Sequence, residues 1–313
     1  RCQEEGTNFI RGKVSEISYQ TAANGTDEGH LIAIAEDTLL GERNKYAVDM
    51  VILCVAMEAR NDAPDVARTF ASLVPSGISP ESGRLILPVQ GFLLKTPSHN
   101  ILVDSCVGND KTNQAIAAWH KRADTRFHAA LTAAGVGPDD IDYVMCTHLH
   151  PDHVGWNTRL DDGRWVPTFP NARYLMPADD EALQRERDSD LFKESVLPVI
   201  EAGQAELVQA GHMLGDHVTL VPTPGHTPGH VSVLVRSGDH EALITGDAMH
   251  STAQCWHPQW HFVYDADPDT AVESRQHLLE QAAEKGCIVL GSHFALPSIG
   301  RVLAHKEAFR WEE

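Results

Sequence analysis

The stretch Thr147-His148-Leu149-His150-Pro151-Asp152-His153-Val154-Gly155 places four metal-ligating side chains within six residues, directly after a predicted apolar strand at 143–146. Side chains alternate between the two sides of a strand, so His148 and His150 share one side where strand geometry continues. A turn at Pro151 then directs Asp152 and His153 toward a neighbouring position. Imidazole and carboxylate groups suit zinc and similar ions, so the stretch predicts a site for two metals rather than a chance histidine-rich turn.

Three later segments add candidate ligands after predicted strands, where the loops of α/β folds usually form the site. His226 lies at the apex of a Pro-Gly-His turn, whose glycine permits a tight backbone bend. Asp247 follows an apolar strand and is placed to bridge two cations, and His293 follows the last predicted strand. Ordinary loop polarity is the alternative for each of the three. We interpret His230 as a residue that orients a neighbour, not as a ligand.

Predicted strands and helices alternate along most of the chain, which is typical of an α/β fold. The predicted strands are 9–17, 31–35, 48–55, 85–94, 101–103, 143–146, 174–176, 218–221, 231–235, 242–245 and 287–290, the last being the final strand. The predicted helices are 63–73, 126–134, 179–192 and 270–284. We therefore divide the chain into an N-terminal extension, residues 1–75, and a main domain, residues 76–313, that carries the candidate ligands.

The composition excludes several classes of partner. With 25 Lys and Arg against 44 Asp and Glu, the formal net charge is −19, so nucleic acid and anionic membranes are not expected to bind. The six cysteines are scattered and form no C-x-x-C pair, so reduced thiols are expected. No apolar run approaches membrane-spanning length. These features favour a cytoplasmic protein that acts on a small molecule.

The motifs H-x-H-x-D-H at 148–153 and G-H-T-x-G-H at 225–230, followed by an Asp and a late His after strands, resemble the metallo-β-lactamase superfamily. The resemblance covers roughly Gly83 to the C-terminus and implies a four-layer αββα fold, in which two β-sheets lie between helices. It implies one metal on His148, His150 and His226, a second on Asp152, His153 and His293, and Asp247 as the bridge. Because no cysteine occupies a ligand position, the lactonase, glyoxalase II and methyl parathion hydrolase branch is the most similar.

Two metals about 3.5 to 4 Å apart lower the pKa of a shared water to near 7, which predicts a metal-bridging hydroxide as the nucleophile. Asp152 is the expected catalytic side chain, because it can orient that water or accept its proton. We expect an ester or lactone hydrolase, with acyl-homoserine lactones as one natural substrate. The alternatives are organophosphate triester hydrolysis, then β-lactam hydrolysis, and last an iron-dependent redox reaction. Two zinc ions are the expected cofactors, although manganese, iron, cobalt and nickel accept the same ligands.

An aromatic segment follows Asp247, and we expect it to line the substrate pocket through Trp256, Trp260, Phe262 and Tyr264. Packing in the core or between subunits is an equal alternative, and the segment is compatible with a homodimer. The first seventy residues resemble a fragment of the heterodisulfide reductase A subunit, on Glu36-Asp37-Thr38-Leu39-Leu40-Gly41-Glu42 and on 48–55. They lack G-x-G-x-x-G and C-x-x-C, so neither dinucleotide nor redox-disulfide chemistry is expected there.

Overall fold

The computed structural model describes the strands that lie between residues 12 and 62 and, from residue 85 onward, every residue except Pro297. The N-terminal strands are β1 (Gly12–Thr21), β2 (Asp27–Asp37), β3 (Glu42–Val48) and β4 (Val51–Asp62). The first three form an antiparallel sheet, whereas β4 pairs with the strand that begins at Leu85. The strand predicted at 48–55 is present from Val51 onward as the start of β4, whereas Val48 ends β3 in the other sheet. The helix predicted at 63–73 and residues 38–41 and 49–50 of the reductase-like segments lie outside the described residues.

Seven further strands follow: β5 (Leu85–Lys95), β6 (Asn100–Val103), β7 (Tyr143–Met145), β8 (Thr158–Asp161), β9 (Arg164–Pro167), β10 (Arg173–Pro177) and β11 (Ala205–Val208). Six strands form the first large sheet in the order β11-β10-β7-β6-β5-β4, and β8 pairs with β9 as a hairpin. The pairs from β6 to β11 in this sheet are parallel, whereas β4, β5 and β6 are antiparallel neighbours. Residues 87–94 of β5 are all buried, which explains their nearly continuous apolar sequence.

The second large sheet contains β12 (Met213–Leu214), β13 (Val218–Pro222), β14 (Val231–Ser237), β15 (His240–Ile244), β16 (Ile288–Leu290), β17 (Ile299–His305) and β18 (Ala308–Glu312). The strands lie in sequence order, and only the β15–β16 pair among them is parallel. The prediction that the strand at 287–290 is the last was wrong, because β17 and β18 follow it. The buried positions of β17 are Gly300 and Val302, which give only a weak apolar alternation.

The helices are α1 (Arg126–Ala133), α2 (Pro151–Val154), α3 (Ala178–Arg187), α4 (Leu197–Glu201), α5 (Ala253–Trp256) and α6 (Pro268–Lys285). The single helix predicted at 179–192 was too long, because the chain leaves α3 at Asp188 in a left-handed conformation with φ of 45°. By contrast, α6 is longer than predicted at both ends. The Asp267 side chain caps it by accepting a hydrogen bond from Thr270 N, with Pro268 in the first turn.

The hydrophobic core shows how the layers are arranged. Between the sheets, Phe92 of the first sheet packs in one buried cluster with Leu220 and Ile244 of the second. Phe127 of α1 belongs to a cluster that covers the opposite face of the first sheet, and Leu279 of α6 belongs to one that covers the second. The four-layer αββα fold is therefore confirmed. In the part of the chain that the structure describes, every helix is too short or too polar to cross a lipid bilayer.

Parallel strands bring distant residues to one edge of the molecule. The parallel pair β15 and β16 is in register with Ile244 opposite Leu290. Asp247 and His293 each follow their strand by three residues. The chain leaves both strands at their carboxyl ends, which is where the sites of α/β sheets usually form. This arrangement places the two candidate ligands beside each other, although 46 residues separate them in the sequence.

The loop that carries the histidine cluster packs directly on the backbone after β6 at Gly155. A Cβ atom there would lie 1.8 Å from Val107 O, and Gly155 N already donates a hydrogen bond of 2.7 Å to Cys106 O. Gly155→Ala therefore forces two backbone segments apart. We expect it to lower the free energy of unfolding by about 3 kcal/mol, the upper end of the usual overpacking range. Denaturant unfolding followed by circular dichroism measures this loss.

Gly137→Ala is the matched control for this glycine substitution. Gly137 has φ of −100°, and the nearest atom to an added Cβ is Asp140 Oδ2 at 3.5 Å, an ordinary contact. We expect Gly137→Ala to change the free energy of unfolding by less than about 1 kcal/mol. Equal losses in the two variants would show that the close approach of residues 107 and 155 does not matter.

Candidate metal centre

The four clustered candidates lie in the loop and short helix that follow β7. The strand ends at Met145, one residue earlier than expected, and His150 still has an extended backbone. Pro151 then begins α2, which contains Asp152 and His153. Proline fits the first turn of a helix because the missing N–H would have no partner there. The change from extended to helical backbone sends the two pairs of side chains in different directions.

One group of candidates surrounds Oδ2 of Asp247. His226 Nε2 lies 3.2 Å and His148 Nε2 lies 3.7 Å from this oxygen. His150 Nδ1 is 2.9 Å from His226 Nε2, so these two ring nitrogens converge on the same point. The ligand atoms of the four residues all lie within 4.8 Å of one another.

A second group surrounds the other oxygen of the same carboxylate. His293 Nε2 lies 3.0 Å and His153 Nε2 lies 3.2 Å from Asp247 Oδ1. The carboxylate of Asp152 lies 3.8 Å from His293 Nε2 and 3.9 Å from His153 Nε2. Asp247 therefore stands between the two groups, and the structure brings together all seven side chains that the sequence singles out.

Unsatisfied polar atoms show that this arrangement suits cations. Nε2 of His148, Nε2 of His153 and Oδ1 of Asp247 are buried and have no hydrogen-bond partner among the described residues. Leaving a buried polar atom without a partner costs about 1–3 kcal/mol, so such atoms usually meet a ligand or water. A divalent cation in each group would satisfy them, and the nitrogen and oxygen donors are those that borderline divalent ions accept.

The outer nitrogens of three inward-facing imidazoles, those of His153, His293 and His226, are held by the protein. His153 Nδ1 is 2.8 Å from Asp104 Oδ2, and the same carboxylate accepts hydrogen bonds from Thr147 N and Thr147 Oγ1, both 2.8 Å. His293 Nδ1 donates to Pro88 O at 2.7 Å. His226 Nδ1 is 2.8 Å from Asp265 Oδ1. Holding Nδ1 in this way fixes the ring and leaves Nε2 facing the centre, as is usual for metal-binding histidines.

His230 and Asp180 hold the loops rather than face the centre. His230 Nε2 accepts a hydrogen bond from Asp247 N at 2.9 Å, which fixes the backbone of the bridging residue. The buried carboxylate of Asp180 accepts hydrogen bonds from Leu149 N, Thr227 Oγ1 and Gly229 N. One carboxylate thereby joins the 148–153 loop to the 225–230 turn.

The imidazoles of the site differ in the direction of their pKa shifts: some pKa values are lowered and others are raised. Burial lowers the pKa of His150 to about 3, and the neighbouring His226 acts in the same direction. Burial also acts to lower the pKa of His226, but the carboxylates of Asp247 and Asp265 outweigh it and raise that pKa to about 9. His153 follows the same pattern, since nearby carboxylates outweigh burial and hold its pKa well above the usual range. At neutral pH and without metal, His226 and His153 are therefore protonated on both ring nitrogens and positively charged.

Metal binding should release these protons, because only a neutral imidazole can ligate. We expect zinc loading at pH 7.5 to release protons from these imidazoles and from the shared water, whose pKa zinc lowers to near 7. The apparent affinity should rise with pH until His226 titrates at about 9. Calorimetric zinc titrations in buffers of different ionisation enthalpy count the protons directly. Binding heats that do not depend on the buffer would contradict the protonation of His226 and His153.

Several residues near the centre escaped the sequence reasoning. His250 Nε2 lies 3.2 Å from Asp247 Oδ2, and its ring stacks on Phe262 with centroids 3.8 Å apart. Its signal in the sequence was its place in the aromatic and imidazole-rich segment that follows Asp247. Asp104 directly follows β6, so the strand-end pattern that identified Asp247 applies to it as well. No comparable signal marks Asp265 in the sequence.

The centre opens into a cleft of about 370 Å³. Phe262 and Tyr264 line this cleft, whereas Trp256 and Trp260 are not among its lining residues. Trp260 stacks on His257, with ring centroids 4.1 Å apart. The apolar lining also includes Leu87, Ala115, Ile116, Trp119 and Leu183.

An αββα sandwich with histidines and aspartates gathered at its strand ends defines a metal-dependent hydrolase. The family model for the Metallo-beta-lactamase superfamily matches residues 86–293, and the chain belongs to this superfamily. An N-acyl homoserine lactonase from Bacillus thuringiensis is 28% identical over 236 residues, covering 71% of this chain and 87% of the relative.

Two solved structures share the fold. The dizinc quorum-quenching lactonase AidC, in complex with a product, aligns with a TM-score of 0.66 and 22% identity, covering 84% of this chain and 93% of that chain. The hydrolase AbOPH aligns with a TM-score of 0.69 and 23% identity, covering 85% and 94%. The predictions of the superfamily, its fold and a metal-dependent hydrolase are confirmed.

Proposed function

We propose that this chain hydrolyses the lactone ring of N-acyl homoserine lactones at a dinuclear zinc centre. His148, His150 and His226 would hold one ion, Asp152, His153 and His293 the other, and Asp247 would bridge them. The observation that carries this proposal is the Asp247 carboxylate, whose two oxygens each face a separate group of inward-pointing imidazoles. The N-acyl homoserine lactonases among its relatives support the choice of substrate.

Bound zinc would acidify a shared water to a pKa near 7 and polarise the lactone carbonyl. The carboxylate of Asp152 lies 3.8 Å from His293 Nε2 and lines the cleft. We assign it the proton transfers. Asp152 would accept the one remaining proton of the hydroxide as the new C–O bond forms, and would deliver it to the ring oxygen as the ring C–O bond breaks. The product is then an N-acyl homoserine with a free carboxylate and a free hydroxyl.

The shape and lining of the cleft support an acyl substrate. A volume of about 370 Å³ falls within the usual range for small-molecule sites. Ile116, Trp119 and Leu183 offer apolar surface for an acyl chain. Asn113 and Arg187 line the same cleft and supply hydrogen-bond donors for the amide carbonyl of the substrate.

Turnover of a substrate panel by the zinc-loaded protein tests the proposal. The panel contains hexanoyl and decanoyl homoserine lactones, a nitrophenyl ester, paraoxon and a cephalosporin. We expect kcat/KM to be highest for the two lactones. A preference for paraoxon would indicate a phosphotriesterase instead of a lactonase. A preference for the cephalosporin would indicate a β-lactamase. Turnover of none of the five would overturn the proposed substrate class.

A further inference from the structure

The Asp265 side chain lies between a proposed metal ligand and the wall of the cleft. Its Oδ1 accepts a hydrogen bond from His226 Nδ1 at 2.8 Å, and its Oδ2 accepts one from Phe262 N at 2.7 Å. The side chain is fully buried. Phe262 presents its ring to the cleft, and His226 presents Nε2 to Asp247. One carboxylate therefore contacts both the metal centre and the substrate wall.

The segment 258–266, here called the cleft loop, is also anchored by Gln254, which donates a hydrogen bond to Trp260 O at 2.9 Å, and by Arg275 on α6. The buried guanidinium donates hydrogen bonds to Pro258 O at 2.8 Å, Trp260 O at 2.6 Å and Ala248 O at 2.9 Å. Its Nη2 lies 3.8 Å from Asp265 Oδ2. Asp265 supplies the opposite charge that a buried guanidinium requires.

Backbone hydrogen bonds join the cleft loop to the turn that carries His226. Ala266 N donates to His226 O at 3.2 Å, and Asp267 N donates to Gly225 O at 2.9 Å. The Asp265 side chain links Phe262 N to His226 Nδ1, and the rings of Phe262 and His226 also lie near each other, with centroids 6.4 Å apart.

We infer that Asp265 is a positioning residue that couples metal occupancy at His226 to the shape of the cleft loop. A carboxylate behind a metal-binding imidazole raises the basicity of the ligating nitrogen and fixes the ring plane. Metal on Nε2 would fix the His226 ring from its other side, so that Nδ1 stays directed at the carboxylate that also holds Phe262. Without the metal, the ring is held at Nδ1 alone, and the wall of the cleft would therefore loosen. This inference rests on the proposed metal centre, but it does not depend on the lactone as substrate.

The substitution Asp265→Asn tests the coupling with almost no change in size. Asparagine has one acceptor oxygen where aspartate has two, so either His226 Nδ1 or Phe262 N would face an amide NH2 group instead of an acceptor. We expect Asp265→Asn to lose zinc at about 10- to 100-fold lower concentrations of a competing chelator. Asp267→Asn is the matched control, because Asp267 is exposed and its side chain bonds to Thr270 at the start of α6.

Hydrogen exchange of the cleft loop gives a readout that is independent of turnover. In the wild type and in Asp267→Asn, we expect protection of the Phe262 amide to fall as the chelator withdraws zinc. In Asp265→Asn, the exchange of that amide should no longer depend on zinc, because one amide oxygen cannot accept from both His226 Nδ1 and Phe262 N. The inference is overturned if wild-type protection does not follow zinc, or if Asp265→Asn matches Asp267→Asn in both measurements. If Asp265→Asn fails to fold, the wild-type exchange curve alone still decides. A wild type that binds zinc but cleaves no lactone would contradict only the proposed substrate.

Discussion

Asp247→Asn is expected to reduce kcat/KM by about 10³-fold or more, equivalent to about 4 kcal/mol of transition-state stabilisation. Each carboxylate oxygen of Asp247 faces one group of imidazoles, at 3.0 to 3.2 Å from the nearest nitrogens. Asparagine keeps a single acceptor oxygen and carries no charge, so one metal loses its ligand. The zinc content should fall from two ions per chain to one or fewer, as measured by elemental analysis alongside turnover.

Asp239→Asn is the control for this substitution. Asp239 lies exposed in the turn between β14 and β15, at the opposite end of β15 from Asp247, and receives the same chemical change. We expect it to keep two zinc ions and full turnover. The Asp247 variant should keep its circular dichroism spectrum, because Asp247 is not part of the hydrophobic clusters that hold the sheets together. Full turnover with two zinc ions in Asp247→Asn would refute the bridging role.

The seven proposed ligands could be predicted from the sequence because they either lie close together in the chain or follow a predicted strand. Four metal-ligating side chains seldom occur within six residues by chance, and strand ends directed attention to His226, Asp247 and His293. The parallel register of β15 and β16 then brings two of these together, as strand-end reasoning requires. A local pattern was sufficient here because each ligand lies directly after the strand that positions it.

The supporting carboxylates could not be distinguished in the sequence from ordinary turn residues. Asp104 has a left-handed backbone with φ of 57°, and aspartate is favoured at such positions even where it has no function. Asp265 lies in a loop that Arg275, ten residues further along the chain on α6, holds by hydrogen bonds to its carbonyl oxygens. Its importance therefore depends on tertiary contacts that no local periodicity reveals.

The aromatic segment after Asp247 was also only partly predictable from the sequence. Composition identified an aromatic surface near the site, but only two of the four aromatic residues line the cleft. A loop has no fixed side-chain period, so the sequence does not tell which rings face the ligand. Arg275 binds the carbonyl oxygen of Trp260, and the Trp260 ring stacks on His257 outside the cleft lining.

Asp104→Asn is expected to weaken both the fold and the metal centre. Three donors converge on this buried carboxylate: Thr147 N, Thr147 Oγ1 and His153 Nδ1. An asparagine amide turns one acceptor into a donor, so at least one of the two N–H groups loses its partner. We expect the free energy of unfolding of the zinc-loaded protein to fall by about 3 kcal/mol, as for a broken buried charge pair. Zinc affinity should fall by about 10- to 100-fold, because His153 loses its support.

Asp110→Asn is the control for Asp104→Asn. It makes the same chemical change at a residue with nearly the same backbone conformation. Asp110 has φ of 60°, nearly the same left-handed conformation as Asp104, but its side chain is exposed. Aspartate and asparagine both tolerate this conformation, so neither substitution should strain the backbone. Denaturant unfolding and chelator competition should therefore leave Asp110→Asn close to the wild type. If Asp104→Asn behaves like Asp110→Asn, the carboxylate behind His153 neither orients that ring nor stabilises the loop, and the metal centre must be held by its inner residues alone.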